Sequence, residues 1–399
     1  MNHSANHTPE SEIKGRLKEL QRCLMQHNLD GALIIQNTDL FYFSGTIQQA
    51  HLFVPASGDP ILMVRKSLER ALEESAVSTI VPIASARQIP DVLHQKGYSL
   101  PDRLGLELDV LPANLFFYYQ ELFHKTKLID FSHNLRMIRS VKSPYEIGLI
   151  REAAHLSDQV AGHVREVLCE GIPEIELAGK VEAYARKLGH QGVIRMRMWG
   201  NEMFYGHLMS GPSAAVPSYM ASPTGGAGTS PAVAQGSGSR RIKPYEPVLI
   251  DYVFAYRGYL SDHTRIFALK GLPDELMTAH AAMLDLQAML KKMAKPNVAA
   301  GDIYTAAVDW AGQLGYADHF MGSGHQRIRF VGHGIGLELD EYPFLAEGRQ
   351  FRLQAGMTVA LEPKLVFPGK GVVGIENTHV VTEKGLEQLT RFREGVIVV

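Results

Sequence analysis

Cysteine is nearly absent from this chain. Cys23 and Cys169 are the only two in 399 residues, too few for a disulfide framework, which points to a reducing compartment. An excess of either charge is missing as well. Forty Lys+Arg stand against 42 Asp+Glu, a formal charge of −2, so there is neither a basic footprint for nucleic acid nor an acidic tail. A long stretch free of Asp, Glu, Lys and Arg includes Phe204 to Ser239, and half of those residues are Gly, Ser or Pro. That composition excludes a bilayer helix there. The opening residues MNHSANHTPESE lack the positive start and apolar core of a signal peptide. These absences together predict a soluble cytoplasmic protein with no nucleic-acid or membrane partner.

What remains is ordinary globular material, 45% hydrophobic and 21% charged, over a length that suggests two domains. The first third alternates α and β. Ile13, Leu17, Leu20 and Leu24 recur at helical spacing. Short apolar runs of strand length follow at 32–35, 52–54, 61–64, 79–83 and 103–106. No cluster of ionisable residues in this third suggests chemistry, and it reads as a structural or oligomerising domain. Next, Ser143-Pro144-Tyr145-Glu146 places serine at an N-cap, proline at the first helical position and glutamate three residues after the cap. A long helix should open there, with the domain boundary just before it. The expected fold is thus an α/β N-terminal domain over 1–135 followed by an α+β domain over 136–399.

In the second domain Gly192 to Met198 alternates like a strand, which would put Arg195 and Arg197 on one face. The Gly/Ser-rich tip at 224–239 reads as a mobile lid, with Arg240 and Arg241 at its base. Strands are expected at 248–254, 259–267, 358–361 and 372–381, and helices near 274–293 and 303–314.

Five ligand-type residues occupy surroundings that do not suit charge. Asp251 lies in the apolar run Val248-Leu249-Ile250, where an unpaired carboxylate costs several kcal/mol. Asp262 returns on the next strand, after the Arg257-Gly258 turn. Glu362 ends the run Thr358-Val359-Ala360-Leu361, and Glu376 sits in VVGIE. His333 stands between Gly332 and Gly334, whose small size lets an imidazole project from a tight turn. Adjacent buried carboxylates stay ionised only with a cation between them. Four carboxylates and a neutral histidine would be neutralised by two divalent ions, with Mn, Fe(II), Co or Zn all suited to this donor set. Each residue also has a plain structural reading: a turn cap for Asp251, an Arg265 pair for Asp262, a strand end for Glu362, a backbone-satisfied ring for His333. The combination favours metal. Separation of the five groups, or their neutralisation by ammonium or guanidinium, would remove that argument.

The pieces LIDYVFAYRGYLSDHTR, FVGHGIGLELDEYP, GMTVALEPK and GIENTHVVTEKGLEQLT resemble the Xaa-Pro dipeptidase and aminopeptidase branch of the methionine aminopeptidase-like "pita-bread" metallopeptidases. The first third is similar to a creatinase-type N-terminal domain, so the likeness spans nearly the whole chain. It implies a pita-bread catalytic domain with two divalent metal ions. Asp251 and Glu376 would hold the first, Asp262 and Glu376 would bridge, and His333 and Glu362 would complete the set, Glu362 also passing the proton. A metal-bridging hydroxide would attack a short peptide. A homodimer is expected, since such proteins often associate.

Three positions depart from the family pattern. Ser218 and Asp340 stand where histidines are usual, and Gly374 where an arginine often sits. His207, Ser218 and Asp340 are therefore the candidate substrate contacts alongside Glu362. These departures motivate a second reading, a metal-dependent lyase or amide hydrolase acting on a small non-peptide molecule. A third, a binding module without metal, is the least economical.

Overall fold

The computed structural model describes residues 7–399. They form two compact units, residues up to 139 and residues 140–399. The division falls slightly beyond the expected 135. The helix Ser132–Ser140 belongs to the first unit through Arg139, whose guanidinium donates to Asp39 at 2.7 Å with both groups buried.

The first unit is a six-stranded mixed sheet. Its strands are β1 (Gly31–Ile34), β2 (Ala50–Pro55), β3 (Ile61–Val64), β4 (Thr79–Pro82), β5 (Arg103–Leu106) and β6 (Lys127–Asp130), in the order β4-β3-β2-β1-β5-β6. The β1–β2 and β2–β3 pairs are antiparallel and the other pairs parallel. Strands β1, β2 and β3 are buried throughout, which is why they read as apolar runs rather than alternations. β6 escaped the sequence reading, because its KLID is partly exposed and has too few apolar residues to stand out.

In the second unit Ser143 caps the helix Pro144–Val167, and the reciprocal bonds Glu146 N–H to Ser143 Oγ and Ser143 N–H to Glu146 Oε2 form the capping box. Helix Glu174–Lys187 follows. The strands are β7 (Gly206–Ser210), β8 (Val248–Tyr252), β9 (Phe254–Tyr256), β10 (Tyr259–Ser261), β11 (His263–Ala268), β12 (Phe330–Gly334), β13 (Glu341–Ala346), β14 (Thr358–Leu361), β15 (Lys364–Phe367), β16 (Gly371–Gly374), β17 (Glu376–Thr382), β18 (Gly385–Gln388) and β19 (Ile397–Val398). Seven of them run β13-β12-β14-β17-β11-β8-β7 in one sheet, with β18 on β17 and β19 on β11. β9–β10 and β15–β16 are separate two-stranded ribbons. The two helices 144–187 pack on one half of the sheet through Val160, Val164, Leu177, Ile250 and Phe267. Helices Asp274–Met293 and Ala300–Gln313 pack on the other half through Met283, Leu286, Ile303, Val359 and Leu361. No helix among the described residues is long and apolar enough to cross a membrane.

Two expectations fail here. Residues 192–198 form no strand: Ile194 is buried in a small core cluster, Arg197 is buried and Arg195 only partly so. The segment follows the needs of that cluster instead of a sheet ladder. The Gly/Ser-rich tip is not a free lid either. Gly226 N–H donates to Val216 O at 2.8 Å, Gly236 N–H to Gly225 O at 2.7 Å, and Ser237 Oγ to Leu208 O at 2.6 Å. Glycine is required where the turns of this loop cross: a Cβ on Gly228 would lie 1.8 Å from Val233 O.

Candidate metal centre

The register of the sheet collects the ligand-type residues on one face. Val248, Ile250 and Tyr252 point into the helix-packed core, so Asp251, between the last two, points to the opposite face. Asp251 pairs with Thr264, Thr264 with Glu376, Thr378 with Ala360, and Ala360 with His333. Directly opposed residues share a face, and Glu376 and Thr378 are two apart. Asp262 falls in the break between β10 and β11, and its N–H donates to Thr378 Oγ1 at 2.8 Å. Glu362 follows β14, held by its N–H to Val331 O at 3.0 Å. His333 lies at a register shift in β12. These irregularities turn side chains inward that regular strands would aim elsewhere.

The Asp262, His333 and Glu376 ligand atoms all lie within 4.8 Å of one another. His333 Nε2 is 3.9 Å from Asp262 Oδ2, from Glu362 Oε1 and from Glu376 Oε1. Donors around an ion at roughly 2.1 Å stand roughly 3–4 Å apart, so these four residues fit one divalent ion. Glu376 Oε1 is buried without a hydrogen-bond partner, an acceptor that a cation could satisfy. Burial, with Glu376 and Asp251 adjacent, pushes Asp262 well above the usual carboxylate range. Burial likewise pushes Glu376 up to about 8, against the pull of Lys364 and with the help of Glu362 and Asp251. For His333 burial favours the neutral ring, but Asp340, Glu362 and Asp262 outweigh it and raise its pKa.

Lys364 is the participant that the sequence reading missed. Its buried ammonium donates to Glu376 Oε2 at 2.7 Å, Glu362 Oε2 at 2.8 Å and Asp251 Oδ2 at 3.0 Å. Burial opposes its charge, yet Asp251, Glu362 and Glu376 hold it protonated well above the usual lysine range. A signal was present: a lysine opening the apolar run LVF is as anomalous as Asp251 in VLI. With all four carboxylates ionised, one ammonium would leave three negative charges, so the cluster must either keep protons, as the raised Asp262 and Glu376 do, or take up a divalent cation in their place. The arginine partner considered for Asp262 is engaged elsewhere. Arg265 bonds the carbonyls of Thr264, Glu376, Phe392 and Arg393 and the amide of Asn377.

The remaining candidates divide. His207 is paired in register with Asp251, its Nδ1 3.2 Å from Thr224 Oγ1 and its Nε2 3.1 Å from Gln235 Oε1. Burial lowers its pKa and keeps the ring neutral. With both ring nitrogens engaged, it ties β7 to the glycine-rich loop. Asp340 reaches to 3.6 Å from His333 Nδ1, behind the ring rather than in front of it, the place of a group that orients a ligand histidine. Ser218 is not gathered into the site, because its hydroxyl donates to Ala234 O. Gly374 lies opposite Lys364 in the β15–β16 ribbon. Arg197 stands 3.7 Å from Glu338, Arg240 bonds Glu246 through both terminal nitrogens at 2.6 Å, and Arg241 donates to Gly171 O. A cavity of about 50 Å³ opens on the five ligand-type residues, Lys364, His207 and Asp340. A larger cleft, about 410 Å³, between Tyr304 and Arg329 contains none of the ligand set.

Comparison with known proteins agrees with this architecture. Residues 148–383 match the model of metallopeptidase family M24, and residues 16–141 match the creatinase/prolidase N-terminal domain. The chain belongs to metallopeptidase family M24, with the pita-bread fold, and is a metal-dependent hydrolase. It is 26% identical to the Xaa-Pro dipeptidase of Pyrococcus furiosus over 383 residues, covering 95% of this chain and 98% of that one. An uncharacterized peptidase of Bacillus subtilis, YqhT, is 27% identical over 387 residues, covering 96% and 99%. The structure of the Xaa-Pro dipeptidase from Bacillus anthracis superposes with a TM-score of 0.82 at 23% identity, over 97% of this chain and all of that one, a likeness of fold.

Proposed function

We propose that this chain is a divalent-metal-dependent peptidase that hydrolyses the Xaa-Pro bond of short peptides. The observation that carries the reading is the buried convergence of Asp262, His333, Glu362 and Glu376, three carboxylate oxygens each 3.9 Å from one imidazole nitrogen. Near full-length similarity to an Xaa-Pro dipeptidase supports the substrate class. A bound ion supplies Lewis-acid polarisation of a carbonyl and acidifies water. Asp262 and Glu376 would neutralise it, and His333 would contribute a ring nitrogen whose direction is set by Gly334 O at 3.1 Å and by Asp340 at 3.6 Å. Glu362 has one oxygen toward His333 and the other fixed by Lys364. That placement suits it to take the proton of an attacking water and deliver it to the leaving nitrogen. Asp251, Lys364 and Thr264 hold the carboxylates in place, Thr264 Oγ1 donating to Glu376 Oε2 at 2.8 Å. His207 stiffens the wall beside Asp251. Manganese or cobalt as the ion, and a homodimer as the working form, belong to the same reading.

The test is a panel of Xaa-Pro and non-proline dipeptides with chelated, Mn-loaded and Co-loaded protein, following amine release. Metal-dependent cleavage confined to Xaa-Pro members is the expected result, and metal-loaded protein that releases nothing overturns it. The small cavity, together with Ser218 turned away and Asp340 behind His333, favours one alternative: a metal-dependent lyase or amide hydrolase on a small non-peptide molecule. Small amides and acids added to the same panel discriminate the two.

A further inference from the structure

We propose that Lys364 is a built-in counter-ion standing where a second metal would, so that this chain binds one divalent ion per site, on Asp262, His333, Glu362 and Glu376. The inference deepens the metallopeptidase reading above and rests on it. It concerns how the carboxylates divide their oxygens.

Glu362 and Glu376 each turn one oxygen toward His333 Nε2 and the other toward Lys364 Nζ. The two sides are not equivalent. Glu376 Oε2 accepts from both Lys364 Nζ and Thr264 Oγ1, whereas Glu376 Oε1 accepts from nothing. Asp251 completes the Lys364 side through Oδ2. The ammonium has three protons and meets three carboxylate oxygens at 2.7–3.0 Å, so its donor capacity is fully used. It has no lone pair to offer an ion, and a divalent ion on Asp251 Oδ2 and Glu376 Oε2 must take the same oxygens from it. The His333 side is short of a cation, and the Asp251 side already has one.

The lysine's position is built into the backbone. Lys364 O accepts from Met321 N–H at 3.0 Å, and Lys364 is the cross-strand partner of Gly374. A Cβ on Gly374 would lie 2.7 Å from Lys364 Cα and 3.0 Å from Lys364 Cγ. Glycine at 374 therefore leaves the side chain its path to the carboxylates. The lysine side chain is 1% exposed, so the ammonium is held out of bulk water against the three carboxylates. In this arrangement Asp251 is the partner of an ammonium and not a metal ligand. Lys364 also sets the orientation of Glu362, the proton carrier, which a second ion would otherwise do.

The test counts bound Mn(II) per chain in chelator-treated, full-length protein after free ion is removed, by elemental analysis with the Mn(II) EPR spectrum alongside. Wild type is expected to saturate at one equivalent with the six-line signal of an isolated ion. Lys364→Gly is expected to reach two equivalents with an exchange-coupled signal, and Asp251→Asn to remain at one. Lys364→Met, which keeps the stem without the charge, serves if the glycine variant does not fold, and the wild-type count needs no variant at all. Two equivalents in wild type overturn the proposal while leaving the metallopeptidase reading intact. None in wild type overturns both. One equivalent in every Lys364 variant, or loss of the ion in Asp251→Asn, overturns the assignment of Lys364 as the substitute. One equivalent without Xaa-Pro cleavage supports the counter-ion and removes only the substrate assignment.

Discussion

Stripping the metal should make this protein progressively less stable as pH rises from 7 to 9. The effect follows from the protons that the folded site must hold. Glu376 is raised to about 8 from the ordinary 4.5, so between those values the folded state keeps a proton that the unfolded chain has lost. Stability then falls with rising pH throughout that window and levels off by about pH 9. At pH 7 one pK unit remains, and at about 1.36 kcal/mol per unit Glu376 alone accounts for a loss on the order of 1.4 kcal/mol by pH 9. Asp262 is raised in the same direction, mainly by burial, and His333 by Asp340, Glu362 and Asp262 against the effect of burial. A raised His333 likewise contributes stability below 6.5 that is lost as pH climbs through its folded value. All three terms have one sign. The buried histidines His51, His190, His207, His263, His280 and His379, all lowered by burial, are neutral in the fold but about a quarter protonated in the unfolded chain at pH 7, so each returns about 0.2 kcal/mol as pH rises, a term common to chelated and metal-loaded protein that their difference removes. At about 2–4 °C per kcal/mol for a unit of this size, Glu376 alone lowers the melting temperature by roughly 3–6 °C. Saturating Mn(II) should abolish or reverse the trend, because metal displaces those protons and binds more tightly as pH rises. Thermal melts at constant ionic strength, with chelator and with Mn(II), measure both arms. A chelated protein whose melting temperature does not fall relative to the metal-loaded protein over this range would refute the electrostatics of the site.

Three further outcomes are expected. Glu362→Gln preserves shape but removes the proton carrier, so kcat for the responsive peptide should fall by roughly 10²–10⁴; a loss under threefold with metal still bound shows that the proton travels elsewhere. Arg265→Met strips the hydrogen bonds from the carbonyls of Glu376 and Phe392 and should cost about 3–5 kcal/mol in urea denaturation, a figure that a shift under 1 kcal/mol contradicts. His379→Phe removes a buried ring that the unfolded chain protonates below 6.5 while the folded state resists until about 3. Stability present above 6.5 is lost as pH falls, about 2 kcal/mol by pH 5, so the variant should gain relative to wild type at pH 5 more than at pH 7, as measured by denaturant midpoints; equal gains at both dispose of the idea.

The acidic cluster was legible because charge inside apolar strands is conspicuous. Asp251 after Val248-Leu249-Ile250 and Glu362 after Leu361 break a pattern that a buried strand otherwise keeps. Lys364 breaks the same pattern, yet a search for metal ligands passes over a lysine, which cannot coordinate when charged. The capping box at Ser143 was legible for a comparable reason: its two hydrogen bonds lie within four residues and need nothing from the rest of the fold. The strand expected at 192–198 was not formed, because alternation over seven residues says nothing about whether a neighbouring strand is available. The glycine-rich loop was misjudged for the opposite reason. Its composition suggests freedom, whereas its glycines are there for close backbone crossings.

By itself the sequence determined the two-part organisation, the local caps, the strands that read as apolar runs and the identity of the acidic and histidine side chains set among them. Those properties depend on spacing and on the cost of unpaired charge, both readable along one dimension. Only the tertiary structure decided which oxygens face which cation. The pairings Asp251 with Thr264, Thr264 with Glu376 and Ala360 with His333 join segments more than a hundred residues apart in part, and a shift of one residue in any of them would send the side chains to the other face. That register also brings Lys364 onto three carboxylates, a meeting between residues 251, 362, 364 and 376 that no spacing rule announces.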